Sequence, residues 1–206
     1  MNTVELFCGK KSFSKVAASR GHQTFTVDFN PKFKPDLCID IMNLTELMLP
    51  GHVDLMWISQ DCQTYSVGSG GKHFKTEPYA YRKYNLIPLT EAAKFNYKLV
   101  EHWLKIALSR RVKFFVVENP RGLLNHHPAM RLIPFKSTVY YADYGFTYMK
   151  PTDLWHNIFS YMPKVPGPKS SYSHLRHMSN QVSADKKSIV PPALIHELFD
   201  IVEHLI

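Results

Sequence analysis

Short apolar runs separated by polar, glycine- or proline-containing stretches recur along the chain. "TVELF" (3–7) ends in "CGK" and reads as a strand followed by a tight turn. "SFSKVAASRG" places Phe13, Val16 and Ala17 on one face of a helix that Gly21 closes. "QTFTVDF" (23–29) alternates like a strand and carries Asp28 at its end. After the proline-broken "NPKFKPD", "LCIDI" reads as a third strand ending near Asp40. "VDLMWIS" (53–59) and "VKFFVVENP" (112–120) are continuous apolar runs, as a parallel strand buried on both faces requires. Between them lie a stretch with Gly68, Gly70, Gly71, Pro78 and Pro88, which reads as a loop, and the clearest helix of the chain, residues 89–111. That helix is opened by Thr90 and closed by basic residues that suit a helix C-terminus. "STVYYADYG" and "TDLWHNIFS" read as two further strands, and "PPALIHELFDIVEHLI" as a C-terminal helix with proline at its start. Residues 162–188, rich in Pro, Lys, Ser and His, have the weakest pattern.

Alternation of strands and helices predicts an α/β fold, an open and mostly parallel sheet with helices on both faces. The 206 residues are most simply one domain, long enough to bury a core. In such sheets ligands sit outside the carboxyl ends of the strands. Those ends carry Phe7-Cys8-Gly9, Asp28, Asp40, Asp61-Cys62 and Glu118, so polar groups gather at one rim.

Composition narrows the partners. No apolar run is as long as a membrane span needs, and the N-terminus has no basic start followed by an apolar segment. Three cysteines without paired spacing favour reduced thiols, hence a cytoplasmic setting. The net charge of +8 suits encounter with phosphates. Eleven histidines include His126-His127, His174 and His177, but no Cys or carboxylate stands at zinc spacing, so no metal is expected. Cys8, Cys38, Trp57, Trp103 and Trp155 read as core residues, and Asp153 as a strand-start residue.

At this point the chain resembles the DNA cytosine-5 methyltransferases, specifically small phage-type members, nearly end to end and in the family's order of motifs. "ELFCGKKSF" is similar to the turn that cradles S-adenosylmethionine, "TVDFNP" to the motif whose acid binds the donor ribose, and "CIDI" to the motif near the adenine amino group. "SQDCQTYS" stands where the family has its Pro-Cys-Gln loop, and "VENPRG" resembles the Glu-Asn-Val tripeptide in its Glu-Asn-Pro form. "ADYG" (142–145) and "SIVPPAL" resemble the last two motifs. The resemblance implies a Rossmann-like S-adenosylmethionine-dependent methyltransferase fold with Cys62 as nucleophile and Glu118 as cytosine-binding acid. It implies a donor site of Phe7, Cys8, Gly9, Ser12, Phe13, Asp28, Phe29, Asp40, Ile41, Ser188 and Val190. Residues 63–88 become a mobile catalytic loop, and Gln63, Ser66, Lys72, Lys75, Arg82, Lys83, Arg121 and Lys150 become candidates for contact with DNA.

The chemistry wants these residue types. Carbon 5 of cytosine becomes nucleophilic when a thiolate adds to carbon 6, and a carboxyl at N3 stabilises the charge that develops. A stacked base cannot be reached, so the target is flipped out or already single-stranded. Three departures from the family stand out. Asp61 replaces the proline before the nucleophile, where a carboxylate raises the thiol pKa unless it points away or pairs with Lys72 or Arg121. Lys10 and Lys11 occupy the donor turn where small residues are usual. The Gln-x-Arg-x-Arg element is missing, "FTYMKPTDLW" stands in its place, and Lys150 is the nearby cation.

Little more than residues 160–187 is left for a target-recognition region. This implies relaxed or short sequence specificity, a protein partner that supplies it, or a single-stranded substrate. Three readings stay open: a minimal DNA cytosine-5 methyltransferase; a catalytically weakened relative that binds donor and nucleic acid; and the same chemistry on RNA, on a nucleotide or with a modified donor.

Overall fold

In the computed structural model, residues 1–69, 71–81, 83–167, 172, 175 and 182–206 are described, with Lys83, Ala184 and Asp185 as backbone only. In chain order the elements are β1 (Asn2–Leu6), α1 (Ser12–Ser19), β2 (Gln23–Asp28), β3 (Leu37–Cys38), β4 (Val53–Ile58), β5 (Phe74–Ala80), β6 (Lys83–Pro88) and α2 (Glu91–Ala107). They continue with β7 (Val112–Pro120), β8 (Phe135–Tyr140), β9 (Pro151–His156), the one-turn α3 (Ala184–Lys187) and α4 (Pro192–Val202). Seven strands form one sheet in the order β3-β2-β1-β4-β7-β9-β8. The pairs from β3 to β7 are parallel, and β9 is antiparallel to both its neighbours.

The strand order reverses beside β1, which pairs with β2 on one side and β4 on the other. A crevice opens at the carboxyl ends at such a switch point. Successive residues of the central strands point to opposite faces, and both faces are covered. Met56, Ile58, Phe115 and Val117 pack with Val100 and Trp103 of α2. Leu55, Trp57 and Val116 pack with Phe13 of α1 and Leu198 and Phe199 of α4. The expectation of an α/β sheet with helices on both faces holds, and all three tryptophans are core residues. Thr90 caps α2 as expected, its hydroxyl accepting the Ala93 N–H at 3.2 Å.

Several elements differ from the sequence reading. Residues 63–88 are not a plain loop: β5 and β6 form an antiparallel ribbon. Phe74 and Leu86 anchor it in the core, while the rest of β5 is exposed, so the two-residue alternation is masked by a polar, proline-containing sequence. "LCIDI" pairs only through Cys38, because the Asp40 side chain accepts the Met42 N–H and turns Ile41–Asn43 into a 3-10 helix. "STVYYADYG" is strand only to Tyr140, after which Tyr141–Tyr144 make a 3-10 turn closed by Gly145 at φ 88°. Cys38 is exposed rather than core, since β3 is an edge strand. Asp153 lies within β9, fully buried, accepting from Thr138 Oγ1 at 2.6 Å and pairing with Lys136 at 2.8 Å. Among the described residues no helix is long and apolar enough to cross a membrane.

Candidate active site

The chain leaves β1 in a turn with three positive φ values: Phe7 (56°), Gly9 (44°) and Lys11 (58°). Two of these carry side chains, and such a conformation persists only where neighbours over-determine it. Here the Cys8 N–H donates to Val27 O at 3.1 Å, the Gly9 N–H to Asp28 Oδ2 at 3.0 Å and the Lys11 ammonium to Lys34 O at 2.6 Å. The first turn of α1 donates from Phe13 N and Ser14 N, at 3.2 and 2.9 Å, to the buried carboxylate of Glu5. Burial pushes Glu5 up to about 7. Burial, then Glu5 and Asp28, push the Cys8 thiol up to about 12.

This turn opens on a cavity of about 150 Å³ lined by Glu5, Phe7, Cys8, Gly9, Lys10, Ser12, Phe33, Ser59, Ser188 and Val190. Six of the expected donor residues therefore meet there: Phe7, Cys8, Gly9, Ser12, Ser188 and Val190. Five do not line it. Phe13 lies in the core, stacked on Trp57 and Phe199. Asp28 spends one oxygen on Gly9 N and the other on Asn30 N, shaping the turn from behind. Phe29 is 69% exposed at the same rim, Asp40 is exposed as a helix cap, and Ile41 is buried. Glu5, Phe33 and Ser59 were not anticipated. Phe33 was hidden in the proline-broken segment after β2.

A second cavity, about 450 Å³, is lined by Ser59, Gln60, Asp61, Cys62, Gln63, Glu118, Pro120, Lys150, Lys187 and Ser188. Ser59 and Ser188 belong to both cavities, so the two are neighbours across one wall. Cys62, Gln63, Glu118 and Lys150 thus line one cavity. The Cys62 thiol is raised above its ordinary value, first by burial and then by Asp61, with Lys150 acting in the opposite direction. Asp61 does not pair with Lys72 or Arg121 among the described residues; its Oδ1 accepts the Gln63 N–H at 3.0 Å and shapes the turn after it.

That turn is bolted down on both sides. Gln60 Nε2 donates to Asn96 Oδ1, Trp103 Nε1 to Gln60 Oε1 at 2.6 Å, and Asn119 Nδ2 to Gln60 O at 2.9 Å. The Tyr65 hydroxyl donates to Asn96 O, and the Tyr65 ring stacks on Phe74 of the ribbon at 4.8 Å. Opposite, Glu118 Oε1 accepts from the Tyr141 hydroxyl at 2.7 Å and lies 3.5 Å from the Lys150 ammonium, which also donates to Lys187 O at 2.8 Å. Tyr141 was read only as part of a strand.

Ser66, Lys72, Lys75 and Arg121 do not line the cavity. The Ser66 hydroxyl accepts the Gly68 N–H, Lys75 pairs with Glu77 on the ribbon at 2.9 Å, and Lys72 and Arg121 are exposed. Arg82 and the Lys83 side chain lie outside the described residues, as do His174 and His177. His127 is buried against Tyr97, and no cluster of three or more metal-ligating side chains occurs among the described residues.

No protein-family model matches the chain. Over 98% of its length it is 27% identical to a frog virus 3 (isolate Goorha) protein named as a probable DNA (cytosine-5)-methyltransferase, of which it covers 100%. The chain is thus similar over nearly its whole length to a protein named for DNA cytosine-5 methylation. Its fold is also that of solved methyltransferases. A candidate DNA modification methyltransferase encoded within an E. coli prophage superposes with a TM-score of 0.52 at 16% identity over 76% of this chain. The Entamoeba histolytica methyltransferase EhMeth gives 0.51 at 13% over 80%, and the S. pombe Dnmt2 methyltransferase 0.50 at 12% over 79%. The chain spans about half of these solved structures, 46%, 56% and 51% of their lengths.

Proposed function

We propose that this methyltransferase-fold chain transfers a methyl group from S-adenosylmethionine to carbon 5 of cytosine in DNA, with Cys62 as nucleophile and Glu118 as the acid that holds the base. The observation that carries this reading is the pair of neighbouring cavities. One is built on the strained turn after β1, the other holds Cys62 and Glu118, and Ser59 and Ser188 line both.

The first cavity fits the donor in kind. It offers a backbone turn at Gly9, a buried carboxylate at Glu5, an aromatic wall at Phe33 and hydroxyls at Ser12 and Ser59. Phe29, Asp28 and Asp40 stand at the carboxyl ends of β2 and β3, where they extend the same rim. When bound, the donor supplies the electrophilic methyl group. Cys62 as thiolate adds to carbon 6, so that the sulfur–carbon bond forms and electron density moves to carbon 5. Glu118 faces N3 and the exocyclic amino group and stabilises the charge that reaches N3. Carbon 5 takes the methyl group, then gives its proton to water as the sulfur–carbon bond breaks, which returns the aromatic ring and the Cys62 thiolate. The net charge of +8 favours a nucleic-acid acceptor, double- or single-stranded.

A duplex or single strand carrying 5-fluorocytosine cannot lose a proton from carbon 5, so the adduct accumulates. Incubation with donor is expected to give a protein–DNA species that resists denaturation in wild type and is absent in Cys62→Ala. No adduct and no labelled methyl on DNA at any pH would overturn the reading. The raised thiol of Cys62 supports the second reading, a weakened relative; adduct formation by Asp61→Asn but not by wild type at pH 7 is its signature.

A further inference from the structure

Glu118 is gripped by two donors of different kinds, both on the same oxygen. The Tyr141 hydroxyl lies 2.7 Å from Oε1 and the Lys150 ammonium 3.5 Å from it. Tyr141 is fully buried, and burial together with the Glu118 charge holds its phenol well above the ordinary range, so it stays a donor. Lys150 is fixed in turn by Lys187 O at 2.8 Å and by the Tyr141 ring, whose centre is 4.5 Å from the ammonium. Tyr141, Glu118 and Lys150 thus form one closed unit: tyrosine to carboxylate, carboxylate to ammonium, ammonium to ring.

We infer that Tyr141 is a positioning residue for the reaction proposed above. By holding Oε1 together with Lys150, it leaves Oε2 as the oxygen presented to the base in the second cavity. An unanchored carboxylate rotates about its last side-chain bonds and would visit the thiol, whose ionisation Glu118 already opposes. Two donors on one oxygen prevent that. The neutral phenol does so without adding a second charge beside the lysine, in a chain whose sequence lacks an arginine pair at this place.

Tyr141→Phe removes the hydroxyl and keeps the ring. Steady-state kinetics should show kcat reduced about ten- to a hundredfold, with KM for DNA and the affinity for S-adenosylhomocysteine within about twofold of wild type. A second readout needs no methyl acceptor: the rate of iodoacetamide alkylation on the Cys62 peptide, followed by mass spectrometry, should fall about threefold or more as the carboxylate is freed. Lys150→Met should likewise lower kcat and slow alkylation, and Lys150→Arg should restore both. If wild type methylates no DNA but alkylation slows in Tyr141→Phe, the proposed reaction fails and the positioning role stands. Unchanged alkylation and kcat in Tyr141→Phe would overturn it. So would a parallel loss of kcat, donor affinity and melting temperature, which marks a purely structural tyrosine.

Discussion

Cys62 works against its surroundings. Burial is the first cause of its raised pKa and Asp61 the second, so the thiolate is scarce at neutral pH until substrate or a cation changes the balance. Asp61→Asn keeps an oxygen for the Gln63 N–H and removes the charge. It should speed alkylation of Cys62 at pH 7 about three- to tenfold, and no acceleration would show that the Asp61 charge does not set the thiol. Glu5 makes a different prediction. Its folded pKa of about 7 lies above its ordinary 4.5, so the folded state binds more protons in that window. Stability is therefore expected to fall as pH rises from about 4.5 to about 7, by at most about 3 kcal/mol, and denaturant melts of Glu5→Gln should lack that slope. At this scale Cys62 and Glu118 stood out because one follows and the other nearly ends an unmistakable apolar run, of β4 and of β7. Tyr141, Phe33 and Glu5 were not, because their roles come from what the fold brings against them.

The element that decides the site is the short turn from Gln60 to Tyr65. It is clamped between Asn96 of α2 and the segment after β7, where Leu123 N donates to Tyr65 O at 2.8 Å. Gly122 makes that approach possible: a Cβ there would sit 2.6 Å from Tyr65 O and 3.6 Å from Pro120 O, both backbone atoms that cannot swing away. Gly122→Ala should cost about 1–3 kcal/mol in a urea melt and, by shifting the turn that carries Cys62, lower kcat by about a hundredfold. Full activity would show that the turn tolerates displacement. The sequence displayed this glycine only as part of "VENPRG", since close approach leaves no mark in periodicity. The ribbon was missed for a related reason. Among the described residues of its two strands only Phe74 and Leu86 are deeply buried, so most of its stabilising pattern never enters the hydrophobic count.

At the scale of the molecule, the parallel order and the rim of polar strand ends were readable from the chain, because buried strands announce themselves as unbroken apolar runs. The antiparallel insertion of β9 between β7 and β8 was not, since two adjacent β-patterned stretches say nothing about direction. Nor did the sequence disclose that the two cavities meet. Ser188 lines both, and Lys150 reaches from Glu118 in one to the carbonyl of Lys187, next to Ser188, in the segment that helps close the other. A ligand that settles that segment therefore acts on the same ammonium as a ligand that engages Glu118, and the two binding equilibria become thermodynamically linked. Linkage is reciprocal: whatever factor S-adenosylhomocysteine contributes to oligonucleotide affinity, the oligonucleotide must return to it. Titrations in both orders should give the same factor, about five- to tenfold. In Lys150→Met it should fall to one, and the two ligands would then bind as strangers.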